Sequence, residues 1–81
     1  MRITVRLFAS LREKAGQDVL SLNLDEGATV ADAWAQLCTR NETLAACRSH
    51  SLIALNRRYV QMNAALSEGD ELALFPPVSG G

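Results

Sequence analysis

The chain ends on FPPVSGG, Phe75 to Gly81, whose residue types could present one reactive group to another protein. Pro76 and Pro77 fix their own φ and have no N–H to give to a sheet, so they predict a stiff neck. Gly80 and Gly81 have no Cβ, so they predict a slim, supple tip that can approach another surface closely. The tip carries the terminal carboxylate of Gly81, which becomes a useful electrophile only after activation, for example as an acyl-adenylate. At about 3.3–3.6 Å per residue, the last four residues reach roughly 14 Å from the body.

The thiols of Cys38 and Cys47 and the imidazole of His50 are a second set of side chains that could do chemistry. One cysteine pair at this spacing matches no metal motif, and a single histidine does not complete one. We therefore expect no metal site and two reduced thiols, packed at least partly as small hydrophobic side chains. The alternative is a disulfide or a reactive thiol, which no neighbouring pattern favours.

Composition limits the class of protein. The 81 residues carry a formal net charge of −1 and are 48% hydrophobic. This length predicts one domain. Such a chain buries a little over about 60% of the surface that its unfolded form exposes, which is enough for one modest core. The near-neutral charge argues against a nucleic-acid binder, which usually has a basic face. No apolar run approaches the roughly 20 residues of a membrane span, and the alternating N-terminus is unlike a signal peptide, so we expect a cytoplasmic protein.

The elements that would position the tail follow from hydrophobic periodicity. Arg2–Phe8 alternates as a half-buried strand does, with Phe8 in phase with the arginines rather than with the apolar residues. A short helical turn closed by Gly16 follows, and then a second alternating strand. Later strands are predicted at Leu52–Leu55, at Tyr59–Gln61 and after the turn at Glu68–Asp70. In the last strand Leu72 and Leu74 share one face, and Ala73 and Phe75 share the other.

The main helix is predicted at Thr29–Arg40. Thr29 is a favourable N-cap residue, and Asp32 and Arg40 have the charges that the two ends of a helix dipole prefer. An apolar stripe at helical spacing predicts burial against a sheet; its residues are Val30, Ala33, Trp34, Leu37 and Cys38. We assign Trp34 to the core, and a ligand-stacking role is the alternative.

One main helix facing one sheet is an α+β arrangement, whose strand order periodicity does not set. We expect a folded domain over residues 1–77 and a flexible diglycine tail over residues 78–81. An exposed Phe75–Val78 stretch would form an interaction patch.

Three segments carry a resemblance to a known family: LSEGDELALFPPVSGG, RLFASLREKAG and ALN. The chain resembles the small subunits of molybdopterin synthase, which are ubiquitin-like sulfur carriers. The resemblance spans the whole chain and is most specific at the C-terminus, where Ser79 is a mild variation without expected effect. It implies a β-grasp fold, a mixed sheet packed against the Thr29–Arg40 helix. It assigns no role to the stretch 41–51.

The resemblance also implies the chemistry. An activating enzyme would use ATP to adenylate the Gly81 carboxylate, and a sulfur donor would convert it to a thiocarboxylate. The tail, with Gly80 and Ser79 beside the loaded residue, would enter a large catalytic subunit and give sulfur to a pterin precursor. The implied docking residues are Phe75, Pro76, Pro77 and Val78. The synthase would be a heterotetramer with its active centre on the large subunit, and this chain would bind no cofactor of its own.

Two other functions are compatible with the residues. A thiamine-pathway carrier or a modifier conjugated to lysines would use the same tip with another partner. A plain interaction domain would have an inert tail, since chain termini are often simply frayed.

Overall fold

In the part of the chain that the structure describes, five strands form one mixed sheet and are accompanied by two helices. The computed structural model describes residues 1–45 and 51–76. In chain order the elements are β1 (Arg2–Leu7), α1 (Ala9–Ala15), β2 (Val19–Asn23), α2 (Val30–Arg40), β3 (Leu52–Leu55), β4 (Arg58–Tyr59) and β5 (Glu71–Phe75). Residues 42–45 adopt 3₁₀ conformation after α2. The α+β class with one main helix is confirmed.

The last strand lies at the centre of the sheet. The strand order is β2-β1-β5-β3-β4, and β5 pairs in parallel with β1 on one side and antiparallel with β3 on the other. The β1–β2 and β3–β4 pairs are antiparallel. β5 ends at Phe75, and Pro76 follows outside the strand, as expected for a residue without an N–H.

The core lies between one face of the sheet and α2. Trp34 is completely buried, which confirms its assignment to the core. The buried side chains alternate along the strands and recur at helical spacing along α2, as the sequence predicts. They include Ile3, Val5, Leu7, Leu20, Leu22, Leu72 and Leu74 from the sheet, and Val30, Ala33 and Leu37 from α2. Cys38 is a free thiol, half-buried against this cluster, and Cys47 and His50 lie outside the described residues.

The start of α2 is held from two directions. The Thr29 N–H donates to Asp32 Oδ2 at 2.8 Å, which is one half of a capping box. The Ala31 N–H donates to the Met62 carbonyl at 2.9 Å, and the Val30 N–H donates to the Ala64 carbonyl at 3.0 Å. These bonds satisfy two donors that a helix N-terminus would otherwise leave open.

The same contacts correct the predicted strand at Tyr59–Gln61. β4 comprises Arg58 and Tyr59 only. The chain leaves the sheet after Val60 because the carbonyls that follow pair with α2 rather than with β3. Pairing with α2 therefore overrides the local preference of these residues for a strand.

Helix α1 ends as predicted. Gly16 is left-handed, with φ 76°, and its N–H donates to the Arg12 carbonyl at 2.9 Å. A side chain at this position would be strained, so glycine suits this helix end. Within the described ranges no helix has the length and hydropathy of a membrane span.

Candidate docking site

The sheet face opposite α2, called the outer face below, carries the exposed apolar side chains of the described residues. Four large hydrophobic side chains are exposed: Phe8, Val19, Leu52 and Tyr59. The pairings Val19–Arg6, Leu52–Phe75 and Tyr59–Ala54 place their side chains in phase with the outer face. An apolar set gathered on one face, rather than scattered singly, is typical of an interaction surface.

Cross-strand pairing builds a shallow groove on this face. Arg6, Ala73, Ala54 and Tyr59 form one row across four strands, since each is paired with the next. The two alanines are short, so the larger side chains around them stand higher than the floor. The groove has a volume of about 310 Å³ and is called the aromatic groove below; its lining residues are Arg6, Phe8, Ala54, Arg57, Tyr59, Glu71, Ala73 and Phe75.

One wall of the aromatic groove is a stacked aromatic pair. The rings of Phe8 and Phe75 have centroids 4.6 Å apart and planes inclined by 12°. The parallel β1–β5 register causes this contact, because Leu7 pairs with Leu74 and the next residues are the two phenylalanines. Phe75 is half-buried and faces away from α2, as its phase with Ala73 predicts. The opposite wall includes Tyr59, which is 75% exposed.

The groove also contains one ion pair. Arg6 Nε lies 3.3 Å from Glu71 Oε2, and both side chains are about half exposed. Such a solvated pair adds little to stability, and it mainly neutralises these two charges. Arg57 borders the groove with no acidic partner among residues 1–45 and 51–76.

The structure brings part of the sequence-predicted site to this groove. Phe75 lines it, and Pro76 follows directly, so the described chain ends beside the groove. The other predicted site residues lie outside the described residues; they are Pro77, Val78, Ser79, Gly80 and Gly81. Their roles stay predictions.

Among the eight lining residues of the groove, sequence reasoning assigned a site role to Phe75 alone. Phe8, Tyr59 and Arg57 were given no site role, although Phe8 carried a usable signal. An aromatic residue in phase with the polar face of an alternating strand is a candidate contact residue. Tyr59 and Arg57 carried no such signal, because only the β3–β5 and β3–β4 registers bring them to Phe75.

Comparison with known proteins decides the family. The model of the ThiS family matches residues 5–81, from β1 through the terminal glycine. The chain belongs to the ThiS family. It is 40% identical over 83 residues to a molybdopterin synthase sulfur carrier subunit of Chlamydomonas reinhardtii, with 100% of both chains covered. The resemblance seen in the sequence is thereby confirmed.

This ThiS-family chain is also similar to archaeal proteins, one of which has a different name. A structure of a putative molybdopterin converting factor, subunit 1, from Pyrococcus furiosus is 32% identical, with a TM-score of 0.87 and 96% and 99% of the chains covered. Small archaeal modifier protein 1 of Haloferax volcanii is 37% identical, with 94% and 97% covered. The ubiquitin-like β-grasp fold is confirmed, since a ubiquitin from Caldiarchaeum subterraneum also superposes, with a TM-score of 0.66.

Proposed function

We propose that this chain is the sulfur carrier subunit of a molybdopterin synthase. The observation that supports this most directly is full-length similarity to sulfur carrier subunits, together with a family match that extends through Gly81. The chemistry is assigned to the terminal carboxylate, and the folded body serves recognition. The catalytic centre is assigned to the large subunit of the synthase.

The proposed cycle has three steps. A Gly81 carboxylate oxygen attacks the α-phosphorus of ATP on an activating enzyme, and pyrophosphate leaves. A hydrosulfide equivalent released by a sulfur donor then attacks the acyl-adenylate carbon and AMP leaves, which gives a thiocarboxylate with no change in the oxidation state of sulfur. In the synthase the thiocarboxylate sulfur attacks a carbon of a pterin precursor and an oxygen leaving group departs from that carbon. Water then hydrolyses the acyl C–S bond, which leaves the sulfur on the pterin and restores the carboxylate. Gly80 keeps the C-terminal tail narrow, because a Cβ at this position would widen the tail where the partner protein must close around it.

The aromatic groove is the proposed docking surface for the large subunit. Phe75 lies in the groove, and the residues after it would lead directly into the partner. Aromatic anchors in a shallow pocket are typical of the few residues that dominate binding energy. The proposed assembly is a heterotetramer in the cytoplasm, and ATP would bind to the activating enzyme.

Phe75→Ala is expected to weaken complex formation more than it weakens the fold. Loss of a binding hot spot of about 2 kcal/mol raises Kd about thirtyfold. The free energy of unfolding should fall by about 1–2 kcal/mol, the combined scale of the lost stacking with Phe8 and of the apolar area that the half-buried ring covers. Calorimetric titration with the large subunit and a thermal melt measure the two effects.

Val19→Ala is the matched control, since Val19 is exposed on the outer face but does not line the groove. It should leave Kd unchanged. If Phe75→Ala lowers the melting temperature strongly and leaves Kd unchanged, Phe75 acts in folding rather than in docking.

Mass spectrometry tests the chemistry itself. The protein is incubated with ATP, its candidate activating enzyme and a sulfur source, and the C-terminal fragment is sequenced in the gas phase. We expect one oxygen of Gly81 to be replaced by sulfur, only when ATP is present. The fragment must be localised, because oxidation of a methionine or cysteine adds a nearly equal mass. An unchanged fragment, with the enzyme active on a control carrier, would refute the carrier function.

A modifier function is the second candidate. Its support is the identity to two Haloferax volcanii proteins named small archaeal modifier proteins, at 37% and 34%. In that function a lysine amine of another protein would attack the carbonyl of the Gly81 acyl-adenylate, and AMP would leave as the isopeptide bond forms. Branched peptides carrying the C-terminal glycines in cell digests, without a thiocarboxylate, would favour this candidate.

A further inference from the structure

The turn between β3 and β4 holds an arginine in a backbone conformation that normally favours glycine. Leu55 pairs with Arg58, so Asn56 and Arg57 form a two-residue hairpin loop. Their φ angles are 50° and 72°. Positive φ at both central residues is the geometry of a type I′ turn, in which glycine is preferred at the second position. Arg57 is therefore strained by its own Cβ, and glycine would remove that strain.

The positive φ of the neighbouring Asn56 follows from its residue type and its hydrogen bonds, whereas neither accounts for the positive φ of Arg57. Asparagine tolerates the left-handed region. The Asn56 amide also donates to Asp70 Oδ1 at 2.9 Å, and its oxygen accepts the Glu71 N–H at 2.9 Å. These bonds fix the turn against the start of β5. The Arg57 side chain makes no such bond within 1–45 and 51–76, so no hydrogen bond in this part of the chain accounts for an arginine here.

Charge on the aromatic groove points to what Arg57 could bind. Two positively charged side chains line the groove, Arg6 and Arg57. The charge of Arg6 is already neutralised by Glu71, whose Oε2 lies 3.3 Å from Arg6 Nε. Glu71 is the one acidic residue among the lining residues, so Arg57 leaves the groove with an excess positive charge. A guanidinium presents a planar set of donors that matches a carboxylate in two-point contact. Arginine beside aromatic anchors is also typical of binding hot spots.

We propose that Arg57 is a specificity residue that binds a carboxylate on the large subunit docked in the aromatic groove. This inference rests on the docking surface assigned under the proposed function. Strain in a turn is retained where it serves a site, and the site here is the groove edge next to Tyr59 and Phe75. The strained turn thus holds the cation beside the apolar contact and opposite an acidic group of the partner.

Two substitutions separate charge from strain. Arg57→Gly removes both, so it should raise the melting temperature of the free chain and weaken binding to the large subunit. Arg57→Gln removes the charge only, so it should weaken binding equally and leave the melting temperature near that of the wild type. A lost hydrogen bond to a charged group corresponds to a Kd about tenfold to a hundredfold higher. Both variants should also reduce the salt dependence of Kd.

Arg2→Gln is the matched control, because it removes the same charge at the far end of β1 from Phe8 and outside the groove. Its Kd should match the wild type. If Arg57→Gly binds as tightly as the wild type, the inference is overturned while docking in the groove stands. If Arg57→Gln alone binds normally, backbone geometry rather than charge matters, and the inference also fails. A wild-type chain that does not bind the large subunit would overturn both the docking proposal and this one.

Discussion

Deletion of Gly80 and Gly81 is expected to abolish molybdenum cofactor synthesis in cells that lack the native copy of this gene. The shortened chain would carry its terminal carboxylate on Ser79, two residues closer to the folded body and next to a Cβ, so under the proposed function the activating enzyme would no longer reach it. Folding should be unaffected, since β5 ends at Phe75 and the buried core contains nothing beyond Leu74 among the described residues. Cofactor content in cell extracts and the melting temperature of the purified chain measure the two outcomes.

Ser79→Ala serves as the control for this deletion. It changes the tail next to the glycines but keeps both of them, and it should support wild-type cofactor content. Full rescue by the deleted chain would mean that the tail is inert and that the protein is an interaction domain. A large drop in melting temperature would instead mean that the tail contributes to the fold.

Trp34→Ala is expected to cost about 3–5 kcal/mol of unfolding free energy, the range for truncating a buried large aromatic residue. Trp34 is completely buried at the centre of the α2 stripe. For 81 residues, total stability at about 0.05–0.15 kcal/mol per residue is about 4–12 kcal/mol. The substitution therefore removes a large share of the stability. Urea denaturation measures this loss of unfolding free energy, provided that the variant and the wild type have the same m-value.

The indole of Trp34 suggests a second variant. Its Nε1 is buried without a hydrogen-bond partner in the described part of the chain. An unpaired buried donor costs about 1–3 kcal/mol, and Trp34→Phe removes that donor while keeping an aromatic ring. Trp34→Phe should therefore destabilise the fold much less than Trp34→Ala. A loss below about 1 kcal/mol for Trp34→Ala would contradict its place in the core.

Periodicity predicts most of the elements because one face of each is buried. β1 alternates cleanly, and α2 carries its stripe from Val30 to Leu37, so a single pattern determines each element. The length of the short strand β4 could not be predicted from periodicity. Its length depends on the partners of Met62 and Ala64, which lie on α2 about 30 residues away in sequence.

The candidate site divides in the same way. Residue types suggest that the tail presents a terminal carboxylate on two glycines, and the family resemblance adds the sulfur chemistry; both stay predictions, because Gly80 and Gly81 lie outside the described residues. The aromatic groove cannot be predicted in this way, because Phe8 and Tyr59 become neighbours of Phe75 only through strand order and register. The hydrophobic pattern of one strand indicates which of its side chains face the core. It does not indicate which strand lies beside it or which residues pair, because the same face is buried for every choice of neighbour.

The central place of β5 has a mechanical consequence under the proposed function, in which partner proteins take up the end of the chain. β1 and β5 run in the same direction, so a pull on the end of β5 against the start of β1 loads their hydrogen bonds in shear. Bonds loaded in this way share the force, whereas bonds at a peeled end break one by one. β3 holds β5 on its other side. Because β5 is paired on both sides, pulling it out of the sheet would break two ladders of hydrogen bonds, so we expect it to resist tension better than an edge strand would.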